Sequence, residues 1–208
     1  RSLFVQTRGV LKKELLAHLR LVRAMRHPKA ASNRPQAGPI IDAVSIRERP
    51  AEVEDRAVPG HWEGDLIAGS GNSYIATLVE RQSRFTMLIK VAGKDTVSVA
   101  STLTKKIRKL PAELRRSLTW DRGGEMADHK DITLAADIAI YFCDPQSPWQ
   151  RGTNENTNGL LRQYFPKGTD LSGYSKVELN RVARELNTRP RKTLGFMTPA
   201  AKLKAVLQ

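Results

Sequence analysis

The sequence predicts a mixed α/β fold, in which one five-stranded sheet is flanked by helices and preceded by a basic helix and an arm. Two observations predict it. Three strand-like segments follow one another with short, turn-rich connections, which is typical of an antiparallel meander. After them, helix-like and strand-like segments alternate, and this order is typical of a mixed sheet covered by helices. The 208 residues, 40% of them hydrophobic, can build one such core with appendages.

Residues 1–58 are predicted to form a basic helix followed by an arm. Between residues 10 and 26, apolar residues recur at helical spacing and basic residues fill the rest of the turn, which indicates one amphipathic helix. His27-Pro28 ends this helix, and residues 28–59 have the Pro, Gly and charge content of a linker or extended arm. A loosely attached linker helix explains the pattern equally well. The apolar positions are Leu11, Leu15, Leu19 and Val22, and the basic ones include Lys12, Lys13, Arg20 and Arg23.

Residues 59–208 are predicted to form the compact domain. A helix with an apolar stripe follows the meander, and a later helix begins in the polar stretch after Pro148. In that stretch, Gly152, Thr153 and Asn154 are predicted to form the approach and N-cap of the helix. The predicted strands are 61–68, 74–80, 85–91, 118–120 and 138–142, and the other predicted helices are 95–109 and 127–136.

Three carboxylates lie in local sequences that together indicate a two-metal phosphoryl-transfer site. Asp65 lies in the strand-like HWEGDLIA, Asp121 follows SLTW just before a Gly-Gly turn, and Glu155 lies in the helix-like RGTNENTNGLL. Magnesium prefers oxygen ligands and keeps several waters, so a catalytic pair of ions needs few carboxylates, provided that they converge. Acidic residues at strand ends are also common on solvated surfaces. Glu63, on the same strand face as Asp65, and Glu125 are alternative ligands or structural acids.

The net charge of +14 is unevenly distributed along the chain. Residues 1–36 carry a net charge of +8 and residues 146–208 a net charge of +7, whereas residues 37–145 carry −1. Basic flanks of this kind bind polyanions, while a near-neutral centre can collect divalent cations. A pI near 10.3 alone fits a ribosomal protein or a membrane-surface binder equally well. The three carboxylates favour DNA as the partner.

The cysteine and histidine content narrows the chemistry further. Cys143 is the single cysteine, so no internal disulfide forms, and its apolar surroundings favour a core position over a catalytic one. The four histidines lack the spacing of a zinc site, so we expect no structural zinc. The sequence has no apolar run of about eighteen residues and no signal segment, and we expect a soluble intracellular protein without a membrane partner.

Longer motifs around these carboxylates resemble those of one family. HWEGDLI, TWDRGGEMADH, YFCDPQSPWQRGTNENTNGLLRQYFPKGTDLSGYS and LNTRPRKTLGFMTPAAKL are similar to the IS-thirty family of bacterial insertion-sequence transposases. The resemblance covers nearly the whole chain, most densely residues 59–200. Such proteins carry an Asp-Asp-Glu triad on a ribonuclease-H-like fold, as retroviral integrases do. The resemblance implies this fold, with the fourth strand beside the first, so that Asp65 and Asp121 become neighbours.

The resemblance also implies the chemistry. Asp65, Asp121 and Glu155 would hold two magnesium ions, with manganese as a substitute, for cleavage at transposon ends and strand transfer into target DNA. A ribonuclease-H-like nuclease that only hydrolyses and an inactive DNA-binding derivative are the alternatives, and the complete triad disfavours the second. Family members commonly carry a bulkier residue where this chain has Gly124, and its loss is expected to weaken a DNA contact.

Several residues are expected to bind the double-stranded DNA substrate. Arg162 lies seven positions after Glu155 on the same helical face, where the family carries a basic residue, and its planar donors suit a phosphate or sugar oxygen. A salt bridge to a surface acid is the alternative. Trp149 is expected to be either a packed lid or a base-stacking residue. Further DNA contacts are predicted for Arg151, Asn158, Lys167, Lys12 and Lys13.

The resemblance finally implies an assembly and a location. Pairing two transposon ends requires a homodimer or a larger homo-oligomer, acting in the bacterial cytoplasm at the nucleoid. The chain begins at Arg1 rather than at a methionine. Because family members carry helix-turn-helix domains upstream that recognise transposon ends, we expect this chain to be the C-terminal portion of a longer protein.

Overall fold

A mixed five-stranded sheet organises the described part of the chain, which comprises residues 40–207 of a computed structural model. The predicted basic helix, with Lys12 and Lys13, lies outside the described residues. Residues 40–207 all belong to one compact unit. The strands are β1 (His61–Ala68), β2 (Tyr74–Glu80), β3 (Thr86–Val91), β4 (Ser117–Trp120) and β5 (Ala139–Phe142).

The strand order in the sheet is β3-β2-β1-β4-β5. The first three strands pair antiparallel, as their short connections predict, whereas β4 is parallel to both β1 and β5. The observed strands begin and end within one residue of the predicted bounds. The predicted mixed sheet, with the fourth strand beside the first, is therefore confirmed.

Six α-helices accompany the sheet in the described residues. Asp95 caps the first long helix by accepting the amide N–H of Ser98, and Ser175 and Glu178 form a capping box at the longest one. No helix was predicted over the last two of the six. In chain order the helices are α1 (Glu52–Asp55), α2 (Thr96–Ile107), α3 (His129–Ala136), α4 (Gly152–Leu161), α5 (Lys176–Thr188) and α6 (Pro199–Val206).

The two faces of the sheet carry separate hydrophobic cores. Strand residues alternate between the faces, so Trp62 of β1 packs on the side of α2 and α3, whereas Ile67 packs on the side of α4 and α5. The inner stripe of α2, which includes the fully buried Leu103, joins the first core, as its helical spacing predicts. Glu63 and Asp65 share the face of Ile67, so both point toward α4.

Residues 44–58, which were predicted to be part of an extended arm, pack on this unit. The amide N–H of Phe142 on β5 donates to the Val44 carbonyl at 2.8 Å, and a bridge joins Ser45 to the same strand. Ile46 and Val53 are buried. The backbone hydrogen bond and the two apolar side chains hold the segment against the domain. Detaching the segment would expose Ile46 and Val53 to water, which is unfavourable. The predicted division at residue 58 stays a prediction.

Candidate active site

The parallel pairing of β1 and β4 brings two of the predicted carboxylates together. Glu63 lies opposite Thr119 in the register. Asp65 and Asp121 each follow two residues later, so they reach the same level of the sheet, and the period of two places both side chains on the same face. Asp65 is mostly buried, with a side chain 25% exposed, whereas that of Asp121 is 42% exposed.

Arg151 lies between the two aspartates. Its Nη1 is 3.3 Å from Oδ1 of Asp65, and its Nη2 donates to Oδ2 of Asp121 at 3.1 Å. Nη1 also donates to the Gly64 carbonyl at 2.7 Å. Burial opposes the charge of Arg151, yet the two carboxylates outweigh it and hold the pKa of this guanidinium above its ordinary value. The two aspartates thus converge on a single cation.

Asp65 is held more firmly than Asp121. It accepts the amide N–H of Leu66 at 2.9 Å and the side-chain amide of Asn158 at 2.8 Å. Burial raises the pKa of Asp65, and the charge of Asp121 adds to this, while Arg151 opposes it. Asp121 accepts the amide N–H of Gly123 at 3.0 Å, within the turn that follows β4.

Glu155 lies in the first turn of α4 and is exposed. It stands between two residues that both contact Asp65, since Arg151 is four positions before it and Asn158 three positions after it. Arg151 immediately precedes α4, whereas Glu155 and Asn158 lie three positions apart within it and share one side of the helix. Nevertheless, within residues 40–207 no group of three or more His, Cys, Asp or Glu side chains is gathered closely enough to hold a metal ion.

The donor chemistry of the aspartate pair fits a divalent cation. Carboxylate oxygens are the ligands that magnesium prefers, and the two aspartates already share one positively charged group, the guanidinium of Arg151. The fit concerns Asp65 and Asp121. A third ligand from Glu155 stays a prediction.

Glu63, the alternative ligand on β1, is fully buried and paired instead. Its Oε1 lies 2.5 Å from Nη1 of Arg81, and its Oε2 accepts the amide N–H of Asn154 at 2.8 Å. Burial lowers the pKa of Arg81, and Glu63 opposes this shift. Glu63 is therefore a structural acid that joins β1 to the first turn of α4.

Asn154 has a different role from the predicted N-cap. It is the third residue of α4 and is fully buried. Its side-chain amide donates to the Glu63 carbonyl at 2.8 Å, and its Oδ1 accepts from the Thr77 hydroxyl at 3.2 Å. The first N–H groups of a helix have no acceptor within the helix. The Glu63 carboxylate on β1 accepts one of them, the amide N–H of Asn154. Local sequence gave no signal for this contact.

The other predicted site residues are spread over the region. Arg162 donates to the carbonyls of Ala68 (3.1 Å) and Phe165 (3.4 Å), rather than to a surface acid. Lys167 is exposed. Glu125 is buried, accepts from the Trp120 indole at 3.3 Å and pairs with Lys94 at 3.5 Å. DNA contacts by Arg151, Asn158, Arg162 and Lys167 stay predictions.

Two remaining predictions concern Cys143 and Gly124. Cys143 is buried, as its surroundings predict, and burial raises the pKa of its thiol to about 11, so it is protonated at neutral pH. Gly124 begins a short 3-10 turn after Asp121, and its carbonyl accepts from the Thr96 hydroxyl at 3.2 Å.

Among the described helices, none is long and apolar enough to cross a membrane.

Comparison with known proteins relates the whole chain to transposases. The family described as integrase core domain matches residues 55–148. The chain is 51% identical over 201 residues to "Transposase InsI for insertion sequence element IS30A" of Escherichia coli K12, covering 96% of this chain and 52% of that protein. It is also 51% identical over 207 residues to the transposase for IS1086 of Cupriavidus metallidurans, covering 99% and 61%.

A more distant relative is the transposase for IS4351 of Bacteroides fragilis, which is 38% identical over 183 residues, covering 88% of this chain and 56% of that protein. The chain thus spans about half the length of the curated relatives that it matches.

Proposed function

We propose that this chain, which belongs to the integrase-core family of IS30 transposases, is the catalytic portion of a DNA transposase. The proposed activity is metal-dependent cleavage at transposon ends followed by strand transfer into target DNA. The observation that carries it is the convergence of Asp65 and Asp121 on the guanidinium of Arg151 at the centre of the sheet.

Asp65, Asp121 and Glu155 are the residues proposed to hold the metal. The placement of Glu155 supports its inclusion, because Arg151 just before α4 and Asn158 three positions after Glu155 both contact Asp65. When bound, two magnesium ions, or manganese in their place, supply activation of the attacking group and stabilisation of the leaving 3′-oxygen.

The other groups around the site position these carboxylates. Arg151 holds the two aspartates on one side of the sheet through both of its Nη atoms. Glu63 and Asn154 fix the start of α4 to β1, and so fix the turn that carries Glu155. Correct placement matters because even small displacements of the reacting groups slow in-line phosphoryl transfer.

The proposed substrate is double-stranded DNA, as transposon ends and as target. Arg162 and Lys167 are proposed to contact it on the side of α4, and Lys12 and Lys13 to contact it from the N-terminal segment, with the net charge of +14 supporting a polyanionic partner. We further propose a homodimer or a larger homo-oligomer that pairs two transposon ends, acting in the bacterial cytoplasm at the nucleoid.

A strand-transfer assay with matched variants tests the proposed function. Asp65→Asn, Asp121→Asn and Glu155→Gln each remove one ligand charge at nearly constant volume, so each should abolish magnesium-dependent cleavage and joining of terminal-repeat DNA. The assay uses the full-length protein. Glu113→Gln, which neutralises an exposed glutamate away from the site, is the control and should retain wild-type activity.

The products separate the possible outcomes. Joined DNA with the wild-type sequence supports a transposase, whereas hydrolysis without joining indicates a ribonuclease-H-like nuclease. If any of the three carboxylate variants keeps full magnesium-dependent activity, that residue is removed from the proposed site.

A further inference from the structure

A groove rich in arginine runs beside the start of α4. It consists of two adjoining cavities of about 390 Å³ and 290 Å³ that share Arg56 and Gly152. We call it the arginine groove, and its arginines come from three segments that are distant in sequence: the segment before β1, the turn between β2 and β3, and the segment after α5. Its arginines are Arg47, Arg49, Arg56, Arg81, Arg84 and Arg191.

The groove carries more positive charge than its own acids neutralise. Glu54 and Glu63 are the acids that line it, and they pair with Arg49 and Arg81. Arg47 pairs with Asp144, which lies outside the groove lining. No carboxylate in residues 40–207 lies within ion-pair distance of Arg56 or Arg84, which are left to face the cavities. An anion entering the groove would therefore meet guanidinium groups that are not already paired with acids.

Mutual repulsion among these arginines also favours the binding of an anion in the groove. Burial lowers the pKa of Arg84, and the charges of Arg56, Arg81 and Arg191 lower it further, while the charge of Glu63 opposes the shift. Arg56 and Arg84 also have left-handed backbone conformations, with φ of 54° and 63°, which glycine or asparagine adopt more readily than arginine. The fold thus places long cationic side chains where conformation alone would favour a small residue.

The groove adjoins the proposed active site. Gly152 and Asn156, which line it, flank Glu155 on α4. Trp149 lines the first cavity two residues before Arg151, and this residue is 72% exposed. An exposed indole beside guanidinium groups is the combination that binds unpaired nucleotides, because the indole stacks on a base while the cations bind phosphates.

We propose that the arginine groove binds an unpaired stretch of DNA strand next to the active site, with backbone phosphates on Arg56 and Arg84 and a base stacked on Trp149. The identity of the ligand as DNA rests on the proposed function. The exposed indole favours an unpaired strand over a duplex, because the bases of a duplex are already stacked on one another and their faces are not available to an indole.

Intrinsic fluorescence reads out Trp149 selectively. The chain has three tryptophans, and Trp62 and Trp120 are only 1% and 0% exposed, so acrylamide should quench Trp149 almost exclusively. A mixed-sequence single-stranded oligonucleotide, added in EDTA so that no cleavage occurs, should protect this fluorescence. The corresponding duplex should protect it less. Trp149→Ala should weaken single-strand binding by about 5- to 150-fold, as expected for the loss of one stacked base.

The phosphate contacts are tested by salt dependence. Arg56→Gln and Arg84→Gln should each lower the slope of log affinity against log salt by about 0.7, the value for one phosphate contact to a single strand. Arg108→Gln is the control, since Arg108 is exposed at the end of α2 on the opposite face of the sheet. Melting temperatures of all variants establish that each is folded.

The outcomes separate the groove from the catalytic proposal. Unchanged acrylamide quenching in the presence of the oligonucleotide, protection by the duplex as strong as by the single strand, or salt slopes equal to that of Arg108→Gln would each overturn the groove assignment. Asp65→Asn should bind the oligonucleotide like the wild type. A protein that binds the strand as described but neither cleaves nor joins DNA would refute the proposed function and leave the groove standing.

Discussion

Replacing Glu63 by Gln should destabilise the domain far more than replacing an exposed charge does. Glu63 and Arg81 are 0% and 5% exposed, and their atoms lie 2.5 Å apart, so neither charge is solvated by water. Glu63→Gln keeps the size of the side chain but leaves the guanidinium of Arg81 buried without its counter-charge. Removing one partner of a buried pair costs about 3–5 kcal/mol, whereas an exposed pair contributes about 0–1 kcal/mol.

Thermal unfolding in the absence of DNA measures this cost. For a domain of this length, 1 kcal/mol corresponds to roughly 2–4 °C, so Glu63→Gln should lower the melting temperature by about 6–20 °C. Arg181→Ala, which breaks the exposed pair between Arg181 and Glu185, is the matched control. It should change the melting temperature by no more than about 2 °C.

A second substitution shows whether the buried charge is the cause. Glu63→Gln combined with Arg81→Met removes both charges, and removing both partners of a buried pair is often close to neutral. The double variant should therefore melt closer to the wild type than Glu63→Gln alone. If Glu63→Gln melts within about 2 °C of the Arg181→Ala control, the pair does not stabilise the domain as argued.

Two further predictions concern the strand that carries Asp65. Gly64→Ala should strongly lower the free energy of unfolding measured in urea, because a Cβ at this position would lie 2.1 Å from the Trp120 ring. Gly159 has open space around it, so Gly159→Ala is the control and should be neutral or stabilising by up to about 1 kcal/mol. Equal stabilities of the two variants would contradict the close approach of Gly64 to Trp120. Burial lowers the pKa of His61, partly offset by Glu52, so the unfolded chain binds a proton that the folded domain resists. Stability should therefore fall as the pH drops below about 6.5, and His61→Gln should reduce this fall in unfolding free energy measured at several pH values; an unchanged pH dependence would show that His61 is not its source.

The sheet was predictable from the sequence because its signals are local. Alternation and turn residues define each strand within one residue. The pairing of β1 with β4, which brings Asp65 and Asp121 together, was instead implied by the family resemblance, because no local signal relates these two strands. The helix at 176–188 carried an equally local signal, the capping box of Ser175 and Glu178 followed by a buried apolar stripe. That helix could have been predicted from the same kind of observation.

The contacts around the site were not predictable, because they join residues that are far apart in sequence. Arg151 reaches Asp65 across 86 positions, as their residue numbers show, and no spacing rule relates a residue before a helix to a strand at that distance. Arg151 looked from sequence like one more DNA contact among many basic residues. The pairing of Glu63 with Asn154 depends equally on how α4 docks on the sheet.

The candidate site has a rigid side and an open side, and this difference is consistent with the proposed chemistry. Toward the sheet, Asp65 is held by Arg151 and Asn158 and is mostly buried. Toward solvent, Asp121 is 42% exposed and Glu155 is exposed. Magnesium keeps several water ligands and is usually bound by one or two carboxylates together with substrate phosphate oxygens. If the proposed function holds, a fold that fixes few carboxylates and leaves the opposite side open would need a DNA phosphate to complete the metal site, and activity would then depend on bound substrate.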